Sequence, residues 1–482
     1  MPTDAMTLAD NAVPHKEWSQ AGRLDSKTGA LLFLAFAAAY FCSALVRAIT
    51  ATLSPVLTQD FALQARDLGL LAGGYFLGFA AMQLPLGGWL DRFGPKRVIL
   101  YFLSMAVLGC LAFSVANSFA WLLAARVLVG MGVSACLMAP LTGFRRWFEA
   151  PMVLRANSWM LMTGSLGMLA STLPVQWLMP LTGWRPLFWI LAAMIVLAMV
   201  AIAWLVPHWN VAPTLATACA SLPPEGAVSP WGGPAVKLAP TFVASRTALP
   251  PEGAGLAGGG PALRPLSFLP VVSANAPPHK ASYAPIWRSR YFRKMTPLAF
   301  FNYGGLVALQ TLWAGPWMVK VAGYSALQAA TGLFYINAAM LVTFWGWGML
   351  NPWLAQRGWS ATRLIAWGVP LSLVILALNI LAGAATGWLG WALFCMASSV
   401  MGLAQPAVGM AFPAALAGRA LSGYNLMIFS GIFVVQWGIG LLIDVFSAMG
   451  VAQIASFQLA MAVFLCCCIA SYGYFLSVNA DN

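Results

Sequence analysis

Two arginines stand inside long apolar runs: Arg47 in "YFCSALVRAITATLSPVLTQDF" and Arg126 in "RVLVGMGVSA". A charge within an apolar segment long enough to cross a bilayer is costly and marks a functional position by default. Arginine keeps its charge at any accessible pH and presents a planar fork of N–H donors that matches an oxyanion. No carboxylate lies mid-run to neutralise either one. Asp60, Asp67 and Asp444 fall at run ends, Glu149 falls in a charged loop, and His15, His208 and His279 lie outside the runs. Two such groups lining a water-filled cavity attract an anion, and one or two arginines suit a monoanion such as a carboxylate. The competing role for both is structural, with the guanidinium spent on backbone carbonyls and the ends of neighbouring helices. No phosphate-binding loop, nucleophile elbow or metal-ligand cluster accompanies them, so the chain does not read as an enzyme and implies no cofactor.

A second group of polar residues sits in apolar surroundings toward the C-terminus: Asn302, Tyr303, Gln310, Trp313, Tyr335, Asn337, Gln405, Asn425 and Gln436. Polar groups in a membrane need partners, so most must point inward. Each alone reads as interhelical hydrogen bonding before it reads as a ligand. As a set, Tyr303, Gln310, Asn337, Gln405 and Gln436 are candidates for a second wall of a binding cavity, opposite Arg47 and Arg126. Gly304, Gly305, Gly315 and Pro316 would let their segment bend, as discontinuous transmembrane helices do.

The elements that must position these residues follow from composition. The 482 residues are 61% hydrophobic and only 8% charged, with a mean hydropathy of +0.80. A soluble domain is nearer half apolar and a quarter charged. The apolar residues fall in runs at 30–58, 68–90, 98–118, 120–143, 156–179 and 186–206, then at 295–318, 327–350, 363–384, 388–415, 423–446 and 455–477. Each is about long enough for a bilayer core of ~30 Å. This gives an all-α membrane protein of twelve transmembrane helices in two six-helix bundles. The expected domains are a polar tail (1–29), an N-terminal bundle (30–206), a linker (207–292) and a C-terminal bundle (293–478). The linker is rich in Pro, Ala and Gly and holds "LPPEGA" twice, at Leu222 and Leu249. Such a composition buries too little to order itself. The tail carries mixed charge and does not resemble a signal peptide. Seven of the eight cysteines lie in apolar runs, and no CxxC pair or disulfide framework is present.

Lys and Arg in the loops set the orientation. With a cytoplasmic N-terminus, only Arg66, Arg185 and Lys320 of the 25 basic residues lie outside, two more (Arg47 and Arg126) lie in spans, and the other twenty lie inside. Both termini are therefore cytoplasmic, and the net charge of +13 is explained without nucleic acid. The expected surroundings are membrane lipid, with the chain working as a monomer.

One cytoplasmic loop, "GGWLDRFGPKRV" between the second and third runs, concentrates charge in an otherwise apolar chain. Gly88, Leu90, Asp91, Arg92, Gly94, Lys96 and Arg97 resemble the signature loop of the major facilitator superfamily. "RVLVGMGVSA" from Arg126 resembles its second motif, and "GWRPLF" (Gly183 to Phe188) its loop between helices 5 and 6. "GMLNPWLAQRG" (Gly348 to Gly358) looks like a degraded second copy of the first loop, interrupted by Asn351 and Pro352. The resemblance implies a transporter in which Gly88, Asp91, Arg92, Gly94, Lys96 and Arg97 form a conformational latch. The stretch from "LVRAITATLSPVL" to "RDLGLL" also resembles the organic-anion branch, which implies that Arg47 binds the anionic group. The phosphate exchangers of that branch carry a second arginine in helix 7, and "FFNYGGLVALQTLWAGPW" has none. The expectation is a secondary transporter of a small organic anion in a bacterial inner membrane. A drug or neutral-solute transporter of the same fold, or a non-transporting sensor, are the alternatives.

Overall fold

The computed structural model describes residues 26–148, 150–207 and 283–478. The expected tail and linker lie almost wholly outside these residues. The side chains of Asp91, Arg145, Arg146 and Pro352 also lie outside the description. No strand occurs among the described residues.

The N-terminal bundle holds six helices. Helix α1 runs over Ser26–Phe61, starting four residues before the expected run. Helices α2 and α3 span Ala65–Leu90 and Arg92–Ser114. They form one helical stretch, Ala65–Ser114, broken at Gly94 with φ 77° and ψ 162°. Only glycine adopts that conformation without strain, so the signature loop turns there rather than through an open loop. Helix α4 is Phe119–Phe144, and its first turn is capped by Ser118, whose side chain accepts from Trp121 N. Helix α5 comprises Ala150–Ala170 and Leu173–Thr182, interrupted just ahead of Pro174. Helix α6 is Trp184–Leu205.

The C-terminal bundle repeats the count. After a short turn at Ala284–Arg288, α7 runs over 290–320. It alternates α-helical pieces with π-helical turns at Leu298–Tyr303 and Leu309–Trp313. Its glycines coincide with close backbone approaches: a Cβ on Gly304 would lie 3.0 Å from the Gly431 and Ile432 backbone, and one on Gly315 3.2 Å from the Ala51 carbonyl. Then follow α8 (Ala326–Gln356), α9 (Ala361–Ala382), α10 (Trp388–Met410), α11 (Ala414–Ala448) and α12 (Gln453–Ser477). Gly358, in the degraded second loop, also has a positive φ of 77°, a value that favours glycine at the end of α8.

Ten of the twelve segments are continuous, long and apolar enough to cross a membrane; α5 and α7 are the interrupted ones. Their outward faces carry large apolar side chains, such as Trp204 at 85% exposure and Leu181 at 82%. A water-soluble protein would bury these; a lipid-facing one need not. An even number of crossings, twelve, puts the described ends at Ser26 and Val478 on the same side; the loop charges make that side the expected cytoplasmic one.

Candidate functional site: an arginine pair at the bundle interface

Arg126 reaches the backbone of the turn that carries Arg47, and the two arginines do different things. Arg126 is 1% exposed. Its Nη1 donates to the Val46 carbonyl at 2.9 Å, and its Nη2 donates to the Arg47 carbonyl at 3.4 Å and to Thr50 Oγ1. Its guanidinium lies 5.3 Å from the Tyr75 ring centroid, close enough for a cation–π contact. Gly130, one turn further along α4, has no room for a side chain against the Tyr75 backbone, and this brings α2 and α4 into contact. Arg126 therefore pins the backbone of α1 at the very turn that carries Arg47.

Arg47 is half-buried. Its side chain is hydrogen-bonded to Tyr40 and within electrostatic reach of Tyr75 and Tyr303. Tyr40 and Tyr75 belong to the first bundle, and Tyr303 belongs to the π-helical turn of α7 in the second. The Arg47 guanidinium thus sits where the bundles face each other. Its Nε is buried without a hydrogen-bond partner, and so is that of Arg126. None of the three described acidic side chains neutralises either arginine: each is engaged at the outer face. A buried positive charge at Arg126 and a half-buried one at Arg47, with no counter-ion among the described residues, are costly to hold in the bundle, and a bound anion lowers that cost.

The remaining candidates are tied largely to one another. Gln310 Nε2 donates to Asn337 Oδ1 at 3.0 Å, and Asn337 Nδ2 donates to the Leu333 carbonyl at 2.9 Å. Gln405 Nε2 donates to Asn425 Oδ1 at 2.7 Å. Gln436 Nε2 donates to Thr311 Oγ1 at 3.0 Å, while its Oε1 is buried and unpartnered. Asn302 donates to Ser471 Oγ at 2.6 Å, and Trp313 Nε1 to the Gln436 carbonyl at 3.0 Å. These pairs stitch α7 to α8, α10 to α11, α7 to α11 and α7 to α12. Tyr303, beside Arg47, is the member of the set placed at the arginine site. Sequence reading did not single out Tyr40 and Tyr75. Tyr40 is seven residues before Arg47, two helical turns along the same face, and that spacing was available.

In the signature loop, Lys96 Nζ donates to the Val206 carbonyl at 2.7 Å, at the end of α6. Arg92 lies 5.1 Å from the Phe93 ring. Arg92 and Arg97 are exposed, and Gly88 has open space around it. The "GWRPLF" loop braces the outer face: Arg185 Nη1 donates to the Ser114 and Ala116 carbonyls at 3.0 and 2.9 Å.

The sequence profile of the Major Facilitator Superfamily matches residues 36–436. Among individual proteins, the chain is similar to a niacin transporter of Acinetobacter baylyi, 31% identical over 150 residues that cover 30% of this chain and 33% of that one. It is similar to a methyl viologen resistance protein of Salmonella typhimurium, 32% identical over 95 residues covering 20% of this chain and 19% of the other. The matched segments thus span a third or less of these relatives. In three dimensions it resembles a bacterial homologue of the human lysosomal transporter Spinster, in an inward-facing unoccupied conformation, with a TM-score of 0.67 at 16% identity over 95% of this chain and 98% of that chain. Two six-helix bundles, a glycine-broken signature loop and a profile match across both bundles lead to one conclusion: the chain is a transporter of the Major Facilitator Superfamily.

Proposed function

We propose that the protein is a secondary transporter that carries a small organic anion, with a carboxylate head group, across the bacterial inner membrane by alternating access. The observation that carries this reading is Arg47. It is a half-buried guanidinium at the bundle interface with an unpartnered Nε and no described carboxylate nearby. A carboxylate accepts two parallel bonds from such a fork. Arg126 supports it from behind by fixing α1, and its own charge adds to the attraction. Tyr40 and Tyr303 offer hydroxyl groups and ring faces around the head group, while Tyr75, whose hydroxyl donates to the Ser43 carbonyl, backs the site against Arg126. Gln310, Asn337, Gln405 and Gln436 hold the second bundle's wall in register. Gly88, Asp91, Arg92, Gly94, Lys96 and Arg97 act as the cytoplasmic latch, and the protein works as a monomer in lipid. Niacin, named for the Acinetobacter relative, is a monocarboxylate of the kind this site suits. The similarity to a methyl viologen resistance protein favours a second reading, export of an organic cation. Against it stand two buried arginines and no acidic residue in the middle of any span.

With no Asp, Glu or His embedded mid-span, coupling is by exchange of anions, by passive facilitation, or by a proton that travels on the substrate. Exchange is the form tested first, because an empty site must carry bare charges through an occluded state and a filled one need not. Proteoliposomes are loaded with labelled nicotinate or benzoate under clamped voltage, and external acid, the neutral amide of the same acid, or a quaternary ammonium is added. External acid is expected to accelerate release of label, and the amide and the cation are not. Acceleration by the cation alone would replace the anion reading with the second one.

A further inference from the structure

The structure describes three acidic side chains, and all stand at the outer face. Two serve their own bundle. Asp60 accepts from Trp184 Nε1 at 2.7 Å. Asp67 accepts from Gln64 N at 3.1 Å and stands 3.6 Å from Arg66 Nε, closing the first turn of its own helix. Asp444 crosses between the bundles. One carboxylate oxygen accepts from Ala65 N at 3.1 Å and the other from Arg66 N at 2.9 Å. These are the first two N–H groups of α2, which have no partner within that helix and carry its positive dipole end.

The position of Asp444 on its own helix is unfavourable. It lies four residues before the end of α11 at Ala448, where the helix dipole disfavours a carboxylate. Only contact with α2 places that charge well. The backbones beneath it are drawn together to allow this contact. One turn before Asp444, a Cβ on Gly440 would strike the Ala65 carbonyl and lie 2.9 Å from Arg66 Cα. A Cβ on Gly69 would strike the Gln436 carbonyl, and one on Gly73 would lie 2.9 Å from the Phe433 ring. The three glycines form a seam that has no room for water between α2 and α11.

We infer that Asp444 is the latch of the outer gate, a positioning residue for transport. Its carboxylate holds the second bundle to the N-terminus of α2 while the outer side is closed, and it must release those two N–H groups for that side to open. This inference rests on the alternating-access reading above, but its test needs no substrate and stands or falls separately from the anion.

Ser54 provides the reporter. It is 3% exposed and lies on α1 in the outer part of the same bundle interface, where α1 packs against Gly315 and Val319 of α7 and Ala326 and Ala330 of α8, so it reports separation of the bundles away from the Asp444 contact itself. Ser54→Cys protein is reconstituted, and labelling by a membrane-impermeant maleimide added outside is timed, with the parent protein as blank. In this background Asp444→Asn removes the charge and keeps the shape. It is expected to speed labelling about tenfold, the scale of losing a charged acceptor at a helix N-terminus, and Asp444→Ala at least as much. Asp67→Asn, which weakens the neighbouring cap inside one bundle, should leave the rate within about twofold. Unchanged labelling in both Asp444 variants overturns the inference. Equal acceleration by Asp67→Asn overturns it as well, because that marks general loosening rather than release of a latch. Should Asp444→Ala lose its native unfolding transition, the isosteric Asp444→Asn carries the test alone.

Discussion

Replacement of Arg47 separates the binding role from the structural one. Arg126 spends both terminal nitrogens on α1, whereas Arg47 keeps an unpartnered Nε and faces Tyr303 across the bundle interface. A carboxylate held by that fork makes two charge-assisted hydrogen bonds, each worth about 1.5–3 kcal/mol. Arg47→Lys keeps the charge and loses one bond, since an ammonium is not a fork. At 1.36 kcal/mol per tenfold, binding should weaken by roughly 10- to 150-fold. Arg47→Gln loses the charge as well and should weaken binding by more than about 100-fold. Folding responds in the opposite direction. An unpaired buried charge is a cost, so the Arg47→Gln protein should unfold at an unchanged or higher temperature without ligand. Both quantities come from one experiment, thermal unfolding of the purified protein titrated with nicotinate, benzoate and their neutral amides. Equal affinity for acid in the wild type and both variants refutes the reasoning. So does amide binding as tight as acid binding in the wild type, because the charge would then contribute nothing.

Arg126→Gln should also weaken acid binding, by about tenfold, through misplacement of the Arg47 turn, and should lower the unfolding temperature because three hydrogen bonds to α1 are lost. A larger affinity loss than for Arg47→Gln in the same titration would reverse the roles assigned to the two arginines. Gly94→Ala forces a side chain into a glycine-only conformation and should cost about 1–3 kcal/mol, read as a lower unfolding temperature together with slower transport. Native stability and rate would mean that the break between α2 and α3 can move to another residue.

Much of this protein is written locally in its sequence. Span length, the six-plus-six count and orientation follow from run lengths and loop charges, because a bilayer imposes one thickness and one sign rule on every segment. Gly94 was legible because its loop motif is contiguous. Arg47 and Arg126 were legible because charge in an apolar run is rare. Pairing between helices was not, because apolar periodicity gives a helix a face and not a neighbour. Gln310 with Asn337 and Gln405 with Asn425 could each be read as cavity lining or as interhelical bonding, and only the packed bundle decided that they bond to each other. Arg126 could be read as a ligand or as a structural residue until the turn around Val46 and Thr50 was placed against it. Asp444 looked like an ordinary residue at a helix end. Its partners are 379 and 378 residues away in sequence, on another bundle, and no local pattern encodes that distance. The tertiary structure supplies it through Gly69, Gly73 and Gly440, whose missing side chains let two backbones touch and bring one carboxylate within reach of the opposite helix.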